Sequence, residues 1–332
     1  MLNILYPIIW LLISSSNLDR INGYSLAEIF EDLLTINLKE LSQYRGPVLK
    51  DIWIHDQFSF HSHSHAEDLH VCTALYNKAL ETVNVTWPPP REPPRELTQD
   101  YTMGGKAALL SWYFEEQQNG GTGYDWNTRV IEEYKALPNI CGGYEQGHCD
   151  IMFKKHRNLV FNYTGIVVGS QSPWVEAAMF NLGVKKIITI EYMEITTDYP
   201  GYSAMHPSTA AKDYLQKKWE LVDFAVSFSS LEHDGLGRYG DPLNPFGDLE
   251  SIARIRCLLR PGGILFLGLP IAPEAVVWNA HRLYGKYRTA LVLLGWKLLD
   301  IYPENCEIYL KRATGNYKCQ PMMILQKPYF GK

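Results

Sequence analysis

The sequence contains no Cys-x-x-Cys pair, so zinc ribbons and thioredoxin-like redox motifs lack support. It has no basic excess: 31 Lys and Arg stand against 36 Asp and Glu, a net charge of −5. That argues against a dedicated nucleic-acid binder, which is usually basic. No apolar run comes near the ~20 residues that a membrane-spanning helix needs, and no internal repeat, collagen period or coiled-coil heptad is found. Charged residues are only 20% and hydrophobic ones 46%, a globular and not a disordered composition. At 332 residues the chain holds one large domain or two modest ones.

Charge is also missing from the amino terminus, where the first charged side chain is Asp19. Ile4 to Ile13 is a short apolar run, followed by Ser14 to Ser16. An apolar segment followed by small residues is the pattern of a secretory signal peptide, which predicts removal of residues 1–16 and a new start at Asn17. Two sequons agree with a secretory-pathway address, secreted or in the endoplasmic reticulum or Golgi lumen: Asn84-Val85-Thr86 and Asn162-Tyr163-Thr164. Six cysteines permit disulfides there, with the pairing left open, and Cys257 in RIRCLLRPGG is expected to pack as a small apolar residue.

The chain divides by composition. Residues 17–86 form an amino-terminal region with a capped amphipathic helix from Ser25 to Tyr44 and a His-rich stretch (His55, His61, His63, His65, His70). That stretch reads as a solvated loop, with metal or glycan association as the other use. Residues 87–96, WPPPREPPRE, read as a stiff polyproline linker. Residues 97–158 read as a cap or subdomain.

From 159 to 328 the pattern is regular. GIVVGS, KKIITIEY, VDFAVSFSS and ILFLGLP are apolar strands; SPWVEAAMFNLG, AKDYLQKKW and DLESIARIRCLL between them are helical. Such alternation predicts an α/β fold with a mostly parallel sheet and helices on both faces. YRTALVLLGWKLLDIY and QPMMILQKP supply a last helix and the closing strands.

Ligands of such sheets bind outside the carboxyl ends of the strands. That rule selects Gly169, Ser170 and Gln171 after the first strand, Glu191 after the second and Ser229 after the third. Glu191 lies 22 residues beyond Gly169, the spacing of an acid that holds ribose hydroxyls. The long loop EHDGLGRYGDPLNPFGDLE should lie over the same face. His233 is its natural general base, with Glu232 and Asp234 to orient it. Metal binding by these three is an alternative, as is a loop pinned by His233 and Asp241. His281 and Arg282 in WNAHRLYG follow the fourth strand; they are expected either to hold an anionic or hydroxyl-bearing substrate or, for Arg282, to pair with an acid of the loop.

The order VVGSQ, IITIEY, VDFAVSFSSLEH, LLRPGGILFLGLP resembles a class I S-adenosylmethionine-dependent methyltransferase core. More closely, YTMGG, VVGSQSPWVEA, FSSLEHDGLGRYGDPLNPFGDLE, LRPGGILFLGLP and WNAHRLYG, between about Tyr101 and Lys327, resemble a nematode-rich family of unknown function. The resemblance implies a Rossmann-like fold, S-adenosyl-L-methionine over Gly169–Gln171, Glu191 and Ser229, and methyl transfer to a small molecule or glycan. The alternative is a non-catalytic binding protein on a degenerate methyltransferase fold. The superfamily's usual GxGxG is absent from the first turn, where Gly169 stands alone. No metal, no nucleic-acid partner and no stable membrane span are expected.

Overall fold

The computed structural model describes residues 44, 46–47, 65–81, 88–114, 123–141, 147–303 and 319–329. The leader, the Ser25–Tyr44 helix apart from Tyr44, His55, His61, His63, the Asn84 sequon and Cys306 lie outside the described residues. The chain divides into two units, 1–37 and 38–332, and the described residues belong to the second.

Along the chain come α1 (His65–Ala79), α2 (Arg95–Tyr101), β1 (Ala108–Leu110), β2 (Tyr124–Asp125), α3 (Thr128–Lys135) and α4 (His148–Lys155). Then follow β3 (Thr164–Val168), α5 (Trp174–Asn181), β4 (Lys186–Ile190), β5 (Ile195–Thr196), β6 (Tyr202–Met205) and α6 (Pro207–Leu215). The chain continues with β7 (Val222–Phe228), α7 (Gly247–Leu258), β8 (Leu259–Gly268), β9 (Ala275–Val277), β10 (His281–Leu283), α8 (Lys286–Leu293), β11 (Lys297–Tyr302) and β12 (Met322–Gln326).

Seven strands form the main sheet in the order β6-β4-β3-β7-β8-β12-β11. Its first five strands are parallel, and β12 runs antiparallel to both β8 and β11. The chain winds outward from β3 through β4 to β6, then returns to β7 on the other side. The topological switch point therefore lies between β3 and β7, the crevice where such sheets bind ligands. The parallel α/β sheet is the one that the strand pattern predicts, and its strand order is that of the Rossmann-like methyltransferase fold that the resemblance implies. One helical layer packs α3 and α4 against α5, and the other packs α6 and α7 against α1.

The central strands are apolar because both their faces are covered. Ile166, Ile187, Phe224, Val226, Leu265 and Phe266 are all fully buried. At about 1.5–3 kcal/mol for each large side chain removed from water, these strands carry much of the hydrophobic stabilisation.

Local chemistry sets several boundaries. The expected helix AKDYLQKKW begins earlier: the His206 ring accepts from Ser208 N and Pro207 takes the first turn, so α6 runs from Pro207 and ends before Lys217, at φ +57. The Arg260–Gly263 stretch does not precede the fourth strand but is bulged within it, since Val222 pairs with Leu259 and Phe224 with Ile264. Cys257 is not a small apolar filler: it is bridged to Cys72 of α1, with Cα atoms 5.7 Å apart. Two short sheets, β1-β9-β10 and β2-β5, flank the main one. The proline segment is tied down, for Trp278 Nε1 donates to Pro90 O at 2.9 Å, Tyr113 Oη donates to Pro89 O, and Arg91 lies 5.0 Å over the Tyr113 ring.

Candidate functional site

The carboxyl ends of β3, β4 and β7 converge as the switch point requires. Gly169 turns the chain at φ +75, a left-handed conformation that only glycine adopts at little cost. A Cβ there would overlap the Ser230 side chain, so glycine lets the β7 end close onto the first loop. Ser227 Oγ donates to Val168 O at 3.0 Å, a second stitch between the same strands.

Side chains hold the first loop. Ser170 N donates to Glu191 Oε2 at 2.8 Å, while Glu191 Oε1 accepts from Tyr192 N at 2.7 Å and Met193 N at 3.3 Å. Ser170 Oγ donates to Ser172 O and reaches Glu176 Oε2 at 3.3 Å. Glu176 Oε1 accepts from Thr189 Oγ1 at 2.7 Å, and Tyr202 Oη lies 3.0 Å from that hydroxyl. Glu176 is completely buried, and that burial pushes its carboxyl up to about 7. The trace of Glu176 in the sequence is one acid inside the apolar helix WVEAAMFN. Gln171 is exposed at the tip of this loop.

Ser229, at φ +53, donates its hydroxyl to Glu232 Oε1 at 2.9 Å. Glu232 is buried, and its Oε1 lies 3.8 Å from His233 Nε2. His233 Nδ1 is 2.6 Å from Ala280 O. A carbonyl only accepts, so Nδ1 carries the proton and Nε2 the lone pair. Burial lowers this imidazole to about 3; the bond to Ala280 works the other way, and the Arg238, His281 and Arg282 charges lower it further. His233 is therefore neutral near pH 7. Tyr239 and His281 stand edge-on to it, with ring centroids 5.4 and 6.3 Å away.

Arg282 is fully buried. It donates to Asp234 O at 2.5 Å, to Glu232 O at 3.5 Å, to Asn244 O at 3.2 Å and to Pro245 O at 3.4 Å, and its Nε lies 3.7 Å from Asp248 Oδ1. Of the two roles expected for it, the geometry displays the pairing with an acid of the loop. Asp241 accepts from Gly235 N, Gly237 N and Tyr239 N, closing the loop tip on itself. Burial pushes the Asp234 carboxyl up to about 7 against the bond from Ser251.

A rim from the region before the main sheet completes the site. Asn279, at φ +47 and fully buried, donates to Phe114 O and accepts from Phe114 N. This places Phe114 beneath Arg238, whose guanidinium is 4.0 Å from the ring centroid, with Trp112 stacked on Phe114 at 5.8 Å. Sequence patterns did not reveal this rim, because the pairing of Phe114 with Asn279 spans 165 residues.

Gly169, Ser170 and Glu191 meet at the ends of β3 and β4, and Ser229, Glu232, His233, Asp234 and Arg282 are held at the end of β7 and against the loop, while Gln171 is exposed at its loop tip and the His281 ring stands edge-on to His233. The acceptor capacity left on Glu191 Oε2 fits a ribose hydroxyl. The space above Gly169 is shared with Ser230. Among the described residues no three His, Cys, Asp or Glu side chains stand together as metal ligands, and no helix is long and apolar enough to cross a membrane.

Residues 162–326 match the family model described as Caenorhabditis protein of unknown function, DUF268. No curated protein matches the chain. Among solved structures the chain is similar to 1,6-didemethyltoxoflavin-N1-methyltransferase of Burkholderia thailandensis, at 14% identity over 59% of this chain and 81% of that one, TM-score 0.36. It is also similar to the N-methyltransferase NodS of Bradyrhizobium japonicum, at 14% identity over 55% of this chain and 98% of that one, TM-score 0.35. The strand order, and not these scores, carries the fold assignment.

Proposed function

We propose that this chain, whose residues 162–326 match the family described as Caenorhabditis protein of unknown function, is an S-adenosyl-L-methionine-dependent methyltransferase of the secretory pathway. The observation that carries the reading is Glu191 at the carboxyl end of β4, beside the switch point, with its carboxylate bonded to the first loop. Glu191 would hold the ribose hydroxyls; Ser170, Gln171 and Ser229 would line the rest of the cofactor's path. When bound, that cofactor supplies an electrophilic methyl group on a sulfonium.

This chain's own part is positioning. Holding two reactants in attack geometry supplies about 7–11 kcal/mol of a barrier, and the pinned loop around His233 is a rigid frame for it. His233 Nε2 is free of the proton and takes one from an acceptor hydroxyl or amine as that group becomes acidic during transfer. At about 3 the imidazole is a weak base, so alignment outweighs proton removal. Tyr239 and His281 border His233, and Arg238 stacked on Phe114 follows next in the loop, a setting proposed to receive a small-molecule acceptor or one sugar of a glycan.

The address is supported by the apolar leader and by disulfides at Cys72–Cys257 and Cys141–Cys149. A second reading, a non-catalytic binding protein on the same fold, is favoured by one observation: Ser230 sits where a Gly169 side chain would be, so part of the crevice is filled from within.

Calorimetry with S-adenosylhomocysteine separates the two. We expect binding in the micromolar to sub-millimolar range and a loss of about 1.5–3 kcal/mol for Glu191→Ala, the value of a hydrogen bond to a charged group. No heat and no thermal shift at millimolar ligand would remove the methyltransferase reading and leave the binding protein.

A further inference from the structure

We propose that Asn162 is an N-glycosylation site whose oligosaccharide covers the amino-terminal edge of the main sheet and leaves the ligand face open. The proposal rests on the secretory address above and on the geometry of the turn before β3.

Asn162 is exposed at φ +58, a left-handed conformation that Asn tolerates better than most residues. Its backbone N–H donates to Gly183 O at 2.8 Å, which fixes the turn. Its side-chain amide has no hydrogen-bond partner among the described residues, nor does the hydroxyl of Thr164, the third sequon residue. Tyr163 between them is 40% exposed. Asn162 and Tyr163 therefore stand open on a fixed turn, and Thr164 follows as the half-buried first residue of β3.

The surface around it calls for cover. Phe161 is 49% exposed and Leu221, at the adjoining start of β7, is 46% exposed. Arg157 lies 4.2 Å over the Phe161 ring and Arg260 5.7 Å over that of Tyr163, so each aromatic already has one face screened by a cation. A sugar on Asn162 would lay its C–H faces over the apolar remainder.

Placement separates this edge from the ligand crevice. The five residues of β3 lead from the turn to Gly169, about 17 Å at about 3.3 Å per residue. The sugar thus leaves from the end of the strand opposite to the site.

The modification joins the Asn162 amide nitrogen to the anomeric carbon of an oligosaccharide carried on a lipid diphosphate. The anomeric C–O bond breaks, the lipid diphosphate departs with its electron pair, and the amide gives up one proton. The proposed secretory address is the compartment that would hold such a lipid-linked donor, and the described cysteines, all disulfide-bonded, agree with its oxidising conditions.

The test is peptide mass spectrometry on the full chain expressed in animal cells, after enzymatic glycan release in heavy-oxygen water. Asn162 should be recovered as heavy-oxygen Asp. Asn162→Asp, which keeps the left-handed turn, and Thr164→Ala should each remove one glycan, and Thr164→Ser should retain it. S-adenosylhomocysteine affinity should be the same with and without the glycan.

A mature chain beginning near Asn17 with a bare Asn162 overturns the proposal and leaves the address standing. A chain with Met1 intact and no glycan overturns both, and the amino-terminal peptide distinguishes these failures. A tenfold affinity change on enzymatic removal of the glycan would place the sugar over the crevice and overturn the placement.

Discussion

Replacing Asp248 by Asn should be among the most damaging single changes in this fold. Asp248 is 1% exposed, between Arg288 at 2%, Arg282 at 0% and Tyr284 at 0%. Arg288 donates Nε to Oδ2 at 2.8 Å and a terminal nitrogen to Oδ1 at 2.5 Å, and Tyr284 Oη donates to Oδ2 at 2.8 Å. Burial works to raise this carboxyl, but the Arg282 and Arg288 charges and the bonds from Arg288 and Tyr284 overcome it and hold it at about 2, below its ordinary 3.8. At about 1.4 kcal/mol for each pKa unit, such a fall is a few kcal/mol of stability. Because the folded value is the lower one, that contribution is complete above about 3.8 and is lost as pH falls through about 2. The Asn variant costs more, since it leaves two buried guanidinium groups without a counter-charge. Breaking a buried pair from one side costs about 3–5 kcal/mol, which at about 2–4 °C per kcal/mol lowers Tm by about 6–20 °C. Urea unfolding at pH 7 with disulfides intact measures the first figure. The gap between wild type and variant should narrow from pH 4 to pH 2. Adding Arg288→Met should recover part of the loss, since removing both charges is far less costly than removing one. A loss below about 1 kcal/mol, or a gap indifferent to acid, would refute the claim that this cluster anchors the loop.

Three further outcomes are expected. His233 is neutral when folded, with its value near 3, so the unfolded chain takes up the proton first; stability is full above about 6.5 and falls as pH drops from there towards 3. His233→Gln should flatten that limb in urea midpoints measured against pH, and an imidazole resonance titrating near 6.5 in the native protein would contradict it. Glu176 has the opposite sign: its folded value near 7 exceeds 4.5, so stability is present below 4.5 and lost as pH rises through 7. Glu176→Gln should therefore be more stable than wild type at pH 8, by up to about 3 kcal/mol, and equal to it at pH 4; equal stability at both would show that the carboxyl is solvated. Cys72 and Cys257 are 185 residues apart, so their bridge should contribute about 5 kcal/mol by chain entropy. Cys72→Ala with Cys257→Ala should lower Tm even without reductant, and a non-reducing peptide map with no 72–257 link would deny the pairing.

Much of the sheet was legible in the residues because its strands are buried on both faces. GIVVGS, KKIITIEY, VDFAVSFSS and ILFLGLP have to be apolar throughout, and their carboxyl ends then point to Gly169, Glu191 and Ser229 without further information. β6 was not legible, since YSAM carries one buried residue and no apolar run. The β1-β9-β10 sheet was hidden for another reason: its pairing joins residues 108–110 to 275–277, and nothing local records so distant a partner.

The site divides in the same way. The types at 232–234 and 281–282 announce acid, base and cation, and the Gly/Pro/Asp content of the loop announces tight turns. What each group is bonded to was set by its neighbours in space. Arg282 is directed at loop carbonyls because β10 carries it beneath them, and burial turns His233 from a base near neutrality into one near 3. Ser230 meets Gly169 only because β7 returns beside β3. Periodicity and residue type are local properties, so the sequence by itself determined the apolar strands, their alternation with helices and the sheet end at which a ligand site is sought. Charge state, pairing and access depend on desolvation and on contacts between distant segments, and those the tertiary structure alone decided.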